Sequence, residues 1–132
     1  MPVLRIAAAV ITDDAGRILL VRKRGTTAFM QPGGKLEAGE HPADCLAREL
    51  HEELGLVVDP ASLEHWGRFE AAAANEADTR VDCDIYGVTI SQEPIVAAEI
   101  EELRWVALDD SSLEVAPLAL EVVWPRLLGT SA

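Results

Sequence analysis

The stretch that decides the fold is Gly34-Lys35-Leu36-Glu37-Ala38-Gly39-Glu40-His41-Pro42-Ala43-Asp44-Cys45-Leu46-Ala47-Arg48-Glu49-Leu50-His51-Glu52-Glu53-Leu54-Gly55-Leu56. Pro42 suits a first helical position, where a missing N–H is no loss, and Asp44 falls in the first turn, where the helix dipole favours an anion. Gly55 supplies the stop. Between them Ala43, Leu46, Ala47, Leu50 and Leu54 recur at steps of three and four and make one apolar face. The spacing predicts a helix docked on a core.

Glu49, Glu52 and Glu53 stand at i, i+3 and i+4, so their carboxylates share a second face of that helix. Repulsion of roughly 0.2–0.5 kcal/mol per pair is small on a wet surface, so a solvated acidic face, with Arg48 pairing Glu52, is one reading. The other is a site for Mg²⁺ or Mn²⁺, hard cations that want several oxygens converging from one support. The entry sequence Gln31-Pro32-Gly33-Gly34-Lys35 favours the second reading, because adjacent glycines let backbone groups approach a metal or a phosphate closely.

The stretch resembles the Nudix box: Gly, five residues, Glu, seven residues, Arg-Glu-aliphatic, one residue, Glu-Glu, one residue, Gly-aliphatic. Gly34, Glu40, Arg48, Glu49, Leu50, Glu52, Glu53, Gly55 and Leu56 fill every fixed position, over 23 of 132 residues. The resemblance implies an α/β (α+β) fold, an α/β/α sandwich with a mixed sheet, and metal binding by Glu49, Glu52 and Glu53 with a carbonyl of Gly33 or Gly34. Arg48 and Glu40 would orient those carboxylates. Glu52 and Glu53 are both expected to be exposed.

Family members hydrolyse a nucleoside diphosphate linked to another group by water attack on phosphorus. With 11 Lys and Arg against 23 Asp and Glu, the formal charge of -12 repels polyphosphates until a divalent cation bridges the two anions. A carboxylate outside the box, Glu99 in Ala-Ala-Glu-Ile-Glu-Glu-Leu-Arg-Trp-Val, resembles the extra acidic residue that small Nudix enzymes bring to the metals; Glu102 is its rival, and a solvated strand start is the plain alternative.

The basic run Arg22-Lys23-Arg24 precedes the glycines. With Lys35 it reads as a phosphate contact through Arg22, Arg24 and Lys35, or as a solvated strand end. Phe29 and Trp105 can stack on a base, although aromatic residues more often belong to a core.

Substrate subclass is constrained by what the resemblance lacks. The region from Ala71 to Ala74, past the box, carries neither the Pro of ADP-ribose enzymes, nor the Tyr of dinucleoside polyphosphate enzymes, nor the array of NADH enzymes, and the motif of coenzyme A pyrophosphatases is missing upstream. A MutT-like nucleoside triphosphate pyrophosphohydrolase is favoured. Ser111 to Leu120 has no Asn of the kind that guanine-sanitising members use, which argues against 8-oxo-dGTP. A sugar-nucleotide or dinucleotide pyrophosphatase and a catalytically silent nucleotide-binding module are the alternatives. The acidic balance argues against a nucleic-acid polymer as partner.

One domain over residues 1–132 fits the length and the 49% hydrophobic content. No signal peptide or membrane span is read, so a cytoplasmic protein acting on a small nucleotide is expected. An oligomer is possible and is not legible. Cys45 and Cys83 read as free thiols, and His41, His51 and His65 as surface or capping residues. Asp13-Asp14-Ala15-Gly16 reads as the turn of a hairpin between Leu4–Thr12 and Arg17–Arg22. Further strands are predicted over Leu63–Phe69, Val81–Ile90 and Leu103–Ala107, and a closing helix over Val115–Leu128; Ala71–Asp78 reads as a loop, a plain surface loop being favoured over one in which Asn75 and Glu76 meet a ribose or base. Helices would then cover both faces of the sheet.

Overall fold

A computed structural model describes residues 1–129. Strand β1 (Val3–Val10) lies in a four-stranded mixed sheet with β3 (Gly33–Lys35), β5 (Arg80–Gly87) and β4 (Glu64–Ala72), in the order β3-β1-β5-β4. β1 and β5 run parallel, and the other pairs are antiparallel. A second, two-stranded sheet joins β2 (Ile18–Lys23) to β6 (Ile100–Val106).

The predicted hairpin is corrected at this point. Its turn exists: Asp13 Oδ1 accepts from the N–H of Ala15 and of Arg17, and Gly16 takes a φ of 77°. Beyond the bridge between Thr12 and Ile18, however, β1 and β2 enter different sheets. Both edges of β1 are already occupied, by β3 and β5, so β2 has no edge to join and pairs with β6 instead.

The second half of β1, from Ala7 to Val10, is buried on both faces, which is why it is a run of small and branched residues rather than an alternating strand. Ala7, Ala9 and Ile11 meet helix α1 (Pro42–Leu54), while Ala8 and Val10 face a second core with Ile85, Leu118, Val123 and Trp124. The expected covering of both sheet faces by helices is therefore met. Leu46, Leu50 and Leu54 are fully buried on α1, each worth roughly 1.5–3 kcal/mol of burial. The caps hold its ends: His41 Nδ1 accepts from Ala43 N at 3.1 Å, and Gly55, at φ 67°, donates its N–H to His51 O.

The closing helix begins at Pro117, two residues later than predicted, because Val115 bridges Phe29 as a strand residue. Ala119–Val123 is wound wide, with Trp124 N–H reaching Ala119 O five residues back, before a last turn α2 (Trp124–Leu127). Pro125 cannot donate to the preceding turn and its ring crowds it, which accounts for the local widening. Observed strands are offset by up to three residues from those predicted, and Ala71 and Ala72 complete β4 rather than opening the loop. Asn75, in left-handed backbone, exchanges hydrogen bonds with the backbone of Ala28 at 3.0 and 3.4 Å, so it is a brace and not a free ribose contact. Among the described residues no helix is long and apolar enough to cross a membrane.

Candidate functional site

The site forms where β3 presses against β1 on one side and α1 on the other. Gly33 and Gly34 pair with Ala8 and Ala7. At Gly33 a Cβ would lie 2.0 Å from Ala7 O, and at Gly34 it would lie 2.4 Å from Glu49 Cδ. The two glycines thus leave room for strand pairing and for a carboxylate respectively.

Glu53 is the unusual member. It is only 2% exposed, Gly33 N–H donates to its Oε1 at 3.3 Å, and its Oε2 is buried with no hydrogen-bond partner. Burial pushes its carboxyl up to about 7, with the Gly33 N–H opposing and the Glu49 carboxylate adding to the rise. The sequence reading placed Glu53 in solvent with Glu52. This is corrected, because β3 covers the flank of α1 that carries it. Glu52 is exposed as expected, and Glu49 is half-buried, its carboxyl also raised by burial.

Arg48 spans the cluster. It donates to both oxygens of Glu40 at 2.9 Å, to Glu49 Oε1 at 2.8 Å and to Lys35 O at 3.2 Å, and lies 3.2 Å from Glu37 and 3.5 Å from Glu52. Arg48 holds the Glu40 carboxyl down to about 2. Through these contacts Arg48 ties Glu40, Glu49 and Lys35 together beside the glycines.

Glu99 reaches the same region from the segment before β6. Ala97 N–H donates to Glu53 O at 2.9 Å, Ala98 sits at φ 53°, and Glu99 O accepts from Arg24 N at 2.8 Å, so the segment is tied to both α1 and the end of β2. Glu99 Oε1 lies 3.2 Å from Lys23 Nζ. Glu102, its rival, is engaged elsewhere by Arg22 at 3.1 Å and Arg104 at 2.8 Å.

A cleft of about 110 Å³ opens beside the glycines, walled by Leu4, Ile6, Ala8, Val81, Leu118 and the run Ala72 to Ala74, with Lys23, Gln31, Lys35 and Glu76 among its polar residues. Three residues assigned to substrate binding fall outside it. Arg22 pairs with Glu102 and donates to Thr26 O, and Arg24 lies 3.4 Å from Glu101, so β6 carboxylates take both charges. Phe29 is 5% exposed in the second core with the Arg104 guanidinium over its ring, leaving no open stacking face. Lys35 does line the cleft. Lys23, the middle residue of the basic run read as a phosphate contact, lines it too.

Cys45 is buried against the carbonyls of Gly34 and Lys35, with its thiol pushed up to about 12 by burial. It packs against the site, where burial disfavours its thiolate. Cys83 is likewise buried and raised.

Among the described residues, no three His, Cys, Asp or Glu side chains already stand as a closed metal cage. Arg48 draws Glu49 toward itself, and Lys23 draws Glu99. The donor set nevertheless fits a hard divalent cation: a buried, unpartnered carboxylate oxygen on Glu53, the Glu49 and Glu52 carboxylates on adjacent turns, and a glycine cradle that a Cβ would fill.

A family model of the NUDIX domain matches residues 2–123, and the chain belongs to the Nudix family. Its similarity to curated relatives is concentrated in a shorter segment. An 8-oxo-dGTP diphosphatase of Haemophilus influenzae is 39% identical over 72 residues, 52% of this chain and 53% of that protein. An RNA pyrophosphohydrolase of Halorhodospira halophila is 45% identical over 47 residues, 36% of this chain and 26% of that one. The matched segments thus span about half or less of those relatives. The crystal structure of a MutT NUDIX hydrolase from Burkholderia pseudomallei covers 100% of both chains with a TM-score of 0.75 at 23% identity. That of a UDP-X diphosphatase gives 0.76 at 22% identity, over 100% of this chain and 66% of the other. Both likenesses show the fold.

Proposed function

We propose that this protein is a divalent-metal-dependent hydrolase of the phosphoanhydride in a nucleoside diphosphate linked to another group, acting in the cytoplasm, with nucleoside triphosphates as the favoured substrates. The observation that carries the reading is the buried Glu53 Oε2 without a partner, beside Gly33 and Gly34 and on one helix with Glu49 and Glu52. A buried carboxylate oxygen left unsatisfied costs about 1–3 kcal/mol or more, a cost that a cation would offset.

Glu49, Glu52 and Glu53, a carbonyl of Gly33 or Gly34, and Glu99 would hold Mg²⁺ or Mn²⁺. Once bound, the ion would polarise phosphoryl oxygens and lower the pKa of the attacking water. The chain's own groups supply the rest. Arg48 fixes Glu49 and Glu40 so that the carboxylates keep their aim, and a carboxylate of the cluster accepts the proton of the attacking water. The apolar walls of the cleft receive the nucleoside, and Lys35 at its edge meets the phosphates. For a triphosphate the products are the nucleoside monophosphate and pyrophosphate.

The name of the Haemophilus relative supports a triphosphate substrate, while the lack of an Asn from Ser111 to Leu120 speaks against strict selection of the oxidised guanine. Pyrophosphate and phosphate release, coupled to pyrophosphatase or phosphatase, should be measured with (d)NTPs, oxidised nucleotides, ADP-ribose, sugar nucleotides and dinucleotides in Mg²⁺ or Mn²⁺. Fast metal-dependent turnover of triphosphates is expected. Preferential turnover of sugar nucleotides or dinucleotides would transfer the reading to that class, and no turnover of any of them would overturn it in favour of a nucleotide-binding module.

A further inference from the structure

We propose that Ala98 is a positioning residue of the candidate metal site: held in left-handed backbone between two hydrogen-bonded anchors, it keeps Glu99 beside Glu53 before an ion arrives. The inference rests on the metal-dependent reading above and adds to it a residue that touches neither metal nor substrate.

The last carbonyls of a helix have no partners within it. In α1 the carbonyls of Leu50 and His51 are met by the N–H groups of Leu56 and Gly55, but those of Glu53 and Leu54 are met from a distant segment, by Ala97 N at 2.9 Å and Ile95 N at 3.0 Å. Residues 95–97 therefore complete the C-terminal cap of the helix that carries the box glutamates, and they are bonded to Glu53 through its own backbone. Immediately beyond them the chain reverses. Ile100 N–H donates to Ala97 O at 3.1 Å, closing a turn with Ala98 and Glu99 at its centre. The far side of the turn is anchored as well: Glu99 O accepts from Arg24 N at 2.8 Å, and Ile100 is buried in the same core as Leu50 and Leu54.

Ala98 has a φ of 53°. A turn with positive φ at its first central position ordinarily takes glycine there, because glycine adopts that backbone without a Cβ penalty. Among the described residues the others with positive φ that are not glycine are Asn75 and Asp78, whose short polar side chains tolerate it. Ala98 has no such side chain, and it is exposed, so no core packing repays the strain. Strained backbone persists where its surroundings over-determine it, and here the surroundings are the anchors on Glu53 and Arg24. The consequence falls on the next residue. Glu99 leaves the turn with its carboxylate 3.2 Å from Lys23 Nζ, and its charge adds to the rise of the Glu53 carboxyl, which places the two carboxylates near each other. Alanine has only a narrow left-handed well and confines Glu99 to this direction, whereas glycine would relax the turn and release it.

The test is Mn²⁺ titration, with the free ion followed by electron paramagnetic resonance, of wild type, Ala98→Gly, Glu99→Gln, the Ala98→Gly/Glu99→Gln double variant and Glu53→Gln, alongside thermal melts in EDTA. Ala98→Gly should melt no lower than wild type, since glycine relieves the strain. It should nevertheless bind Mn²⁺ about 10-fold more weakly, the scale of loss when the support of a metal ligand is removed. Glu99→Gln should weaken binding at least as much, and adding Ala98→Gly to it should change nothing further, because Ala98 acts only through Glu99. Wild-type Mn²⁺ affinity in Ala98→Gly, with Glu99→Gln weakened, overturns the positioning role. Equal weakening by Ala98→Gly in both backgrounds also overturns it, since the effect then runs through the α1 cap and not through Glu99. Full affinity in Glu99→Gln together with weak binding in Glu53→Gln removes Glu99 from the metal set, and this proposal with it, while leaving the box site standing. A wild type that binds no Mn²⁺ sinks the metal-dependent reading itself.

Discussion

Gly33 N–H and Glu53 Oε1 meet at 3.3 Å across the junction of β3 and α1, and this one hydrogen bond leaves the second Glu53 oxygen buried and unsatisfied. A carboxylate in that position carries an unmet polar cost that the proposed cation would relieve. The carboxylates of the candidate site can therefore be tested through stability as well as through rate.

Glu53→Gln should abolish most turnover, by at least about 100-fold, because it removes a buried oxygen anion from the metal set. The fold should survive, since the change is isosteric. Steady-state rates in Mg²⁺ alongside a thermal melt check both halves; a variant with the wild-type rate would refute the assigned metal site.

Protonation of the same residue sets a pH dependence. Its folded pKa of about 7 lies above its ordinary value of 4.5, so the native state holds a proton that the unfolded chain has already lost. Stability in EDTA should therefore be highest below about 4.5, as far as this group is concerned, and fall as pH rises towards 7, by on the order of 3 kcal/mol. Denaturant titrations of wild type and Glu53→Gln across that range isolate the effect as the difference between the two. A difference that does not vary with pH would exclude Glu53 as its source.

The two glycines should separate when each is replaced by Ala. At Gly33 the new methyl would collide with backbone, Ala7 O at 2.0 Å, in a strand pair that cannot yield, so a loss of about 3 kcal/mol is expected. At Gly34 the obstacle is the end of the Glu49 side chain, which can swing aside. Gly34→Ala should keep its melting temperature within a few degrees and lose metal affinity and rate instead. Thermal melts with Mg²⁺ titrations of both variants decide the matter.

Much of this architecture was legible because its determinants are local. Helical spacing, Pro42 and Gly55 define α1, and the box residues Arg48, Glu49, Glu52 and Glu53 locate the site on it. What escaped depends on partners distant in sequence. Burial of Glu53 follows from the pairing of β3 with β1, and no helical period records which neighbour covers a flank. The sorting of Arg22, Lys23 and Arg24 follows from a bulge against β6. The hairpin was misread for a related reason: the Asp13–Gly16 turn is local, whereas the occupancy of both β1 edges is not. Phe29 carries no local mark that distinguishes a core ring from a stacking one.

Cysteine reactivity offers a last prediction, which separates a packing residue from a latent nucleophile. Cys45 lies one turn before Glu49, faces the carbonyls of Gly34 and Lys35 at 3.6 and 3.5 Å, and has its thiol pushed up to about 12 by burial. The Glu40 and Glu49 carboxylates nearby oppose a thiolate further, and Arg48 only partly offsets them. Because the thiolate is the reacting form, Cys45 should be inert to a disulfide reagent such as dithionitrobenzoate at pH 8 until the chain unfolds. Cys83, buried in the other core, should behave alike. Both thiols should then titrate together in denaturant. Cys45→Ala should retain the wild-type rate to within about 3-fold, since the substitution removes only a small packed group. Prompt labelling of one thiol in the native protein, with loss of turnover that Cys45→Ala prevents, would show that the α1 face opens on the timescale of the reaction and that the packing assignment is wrong.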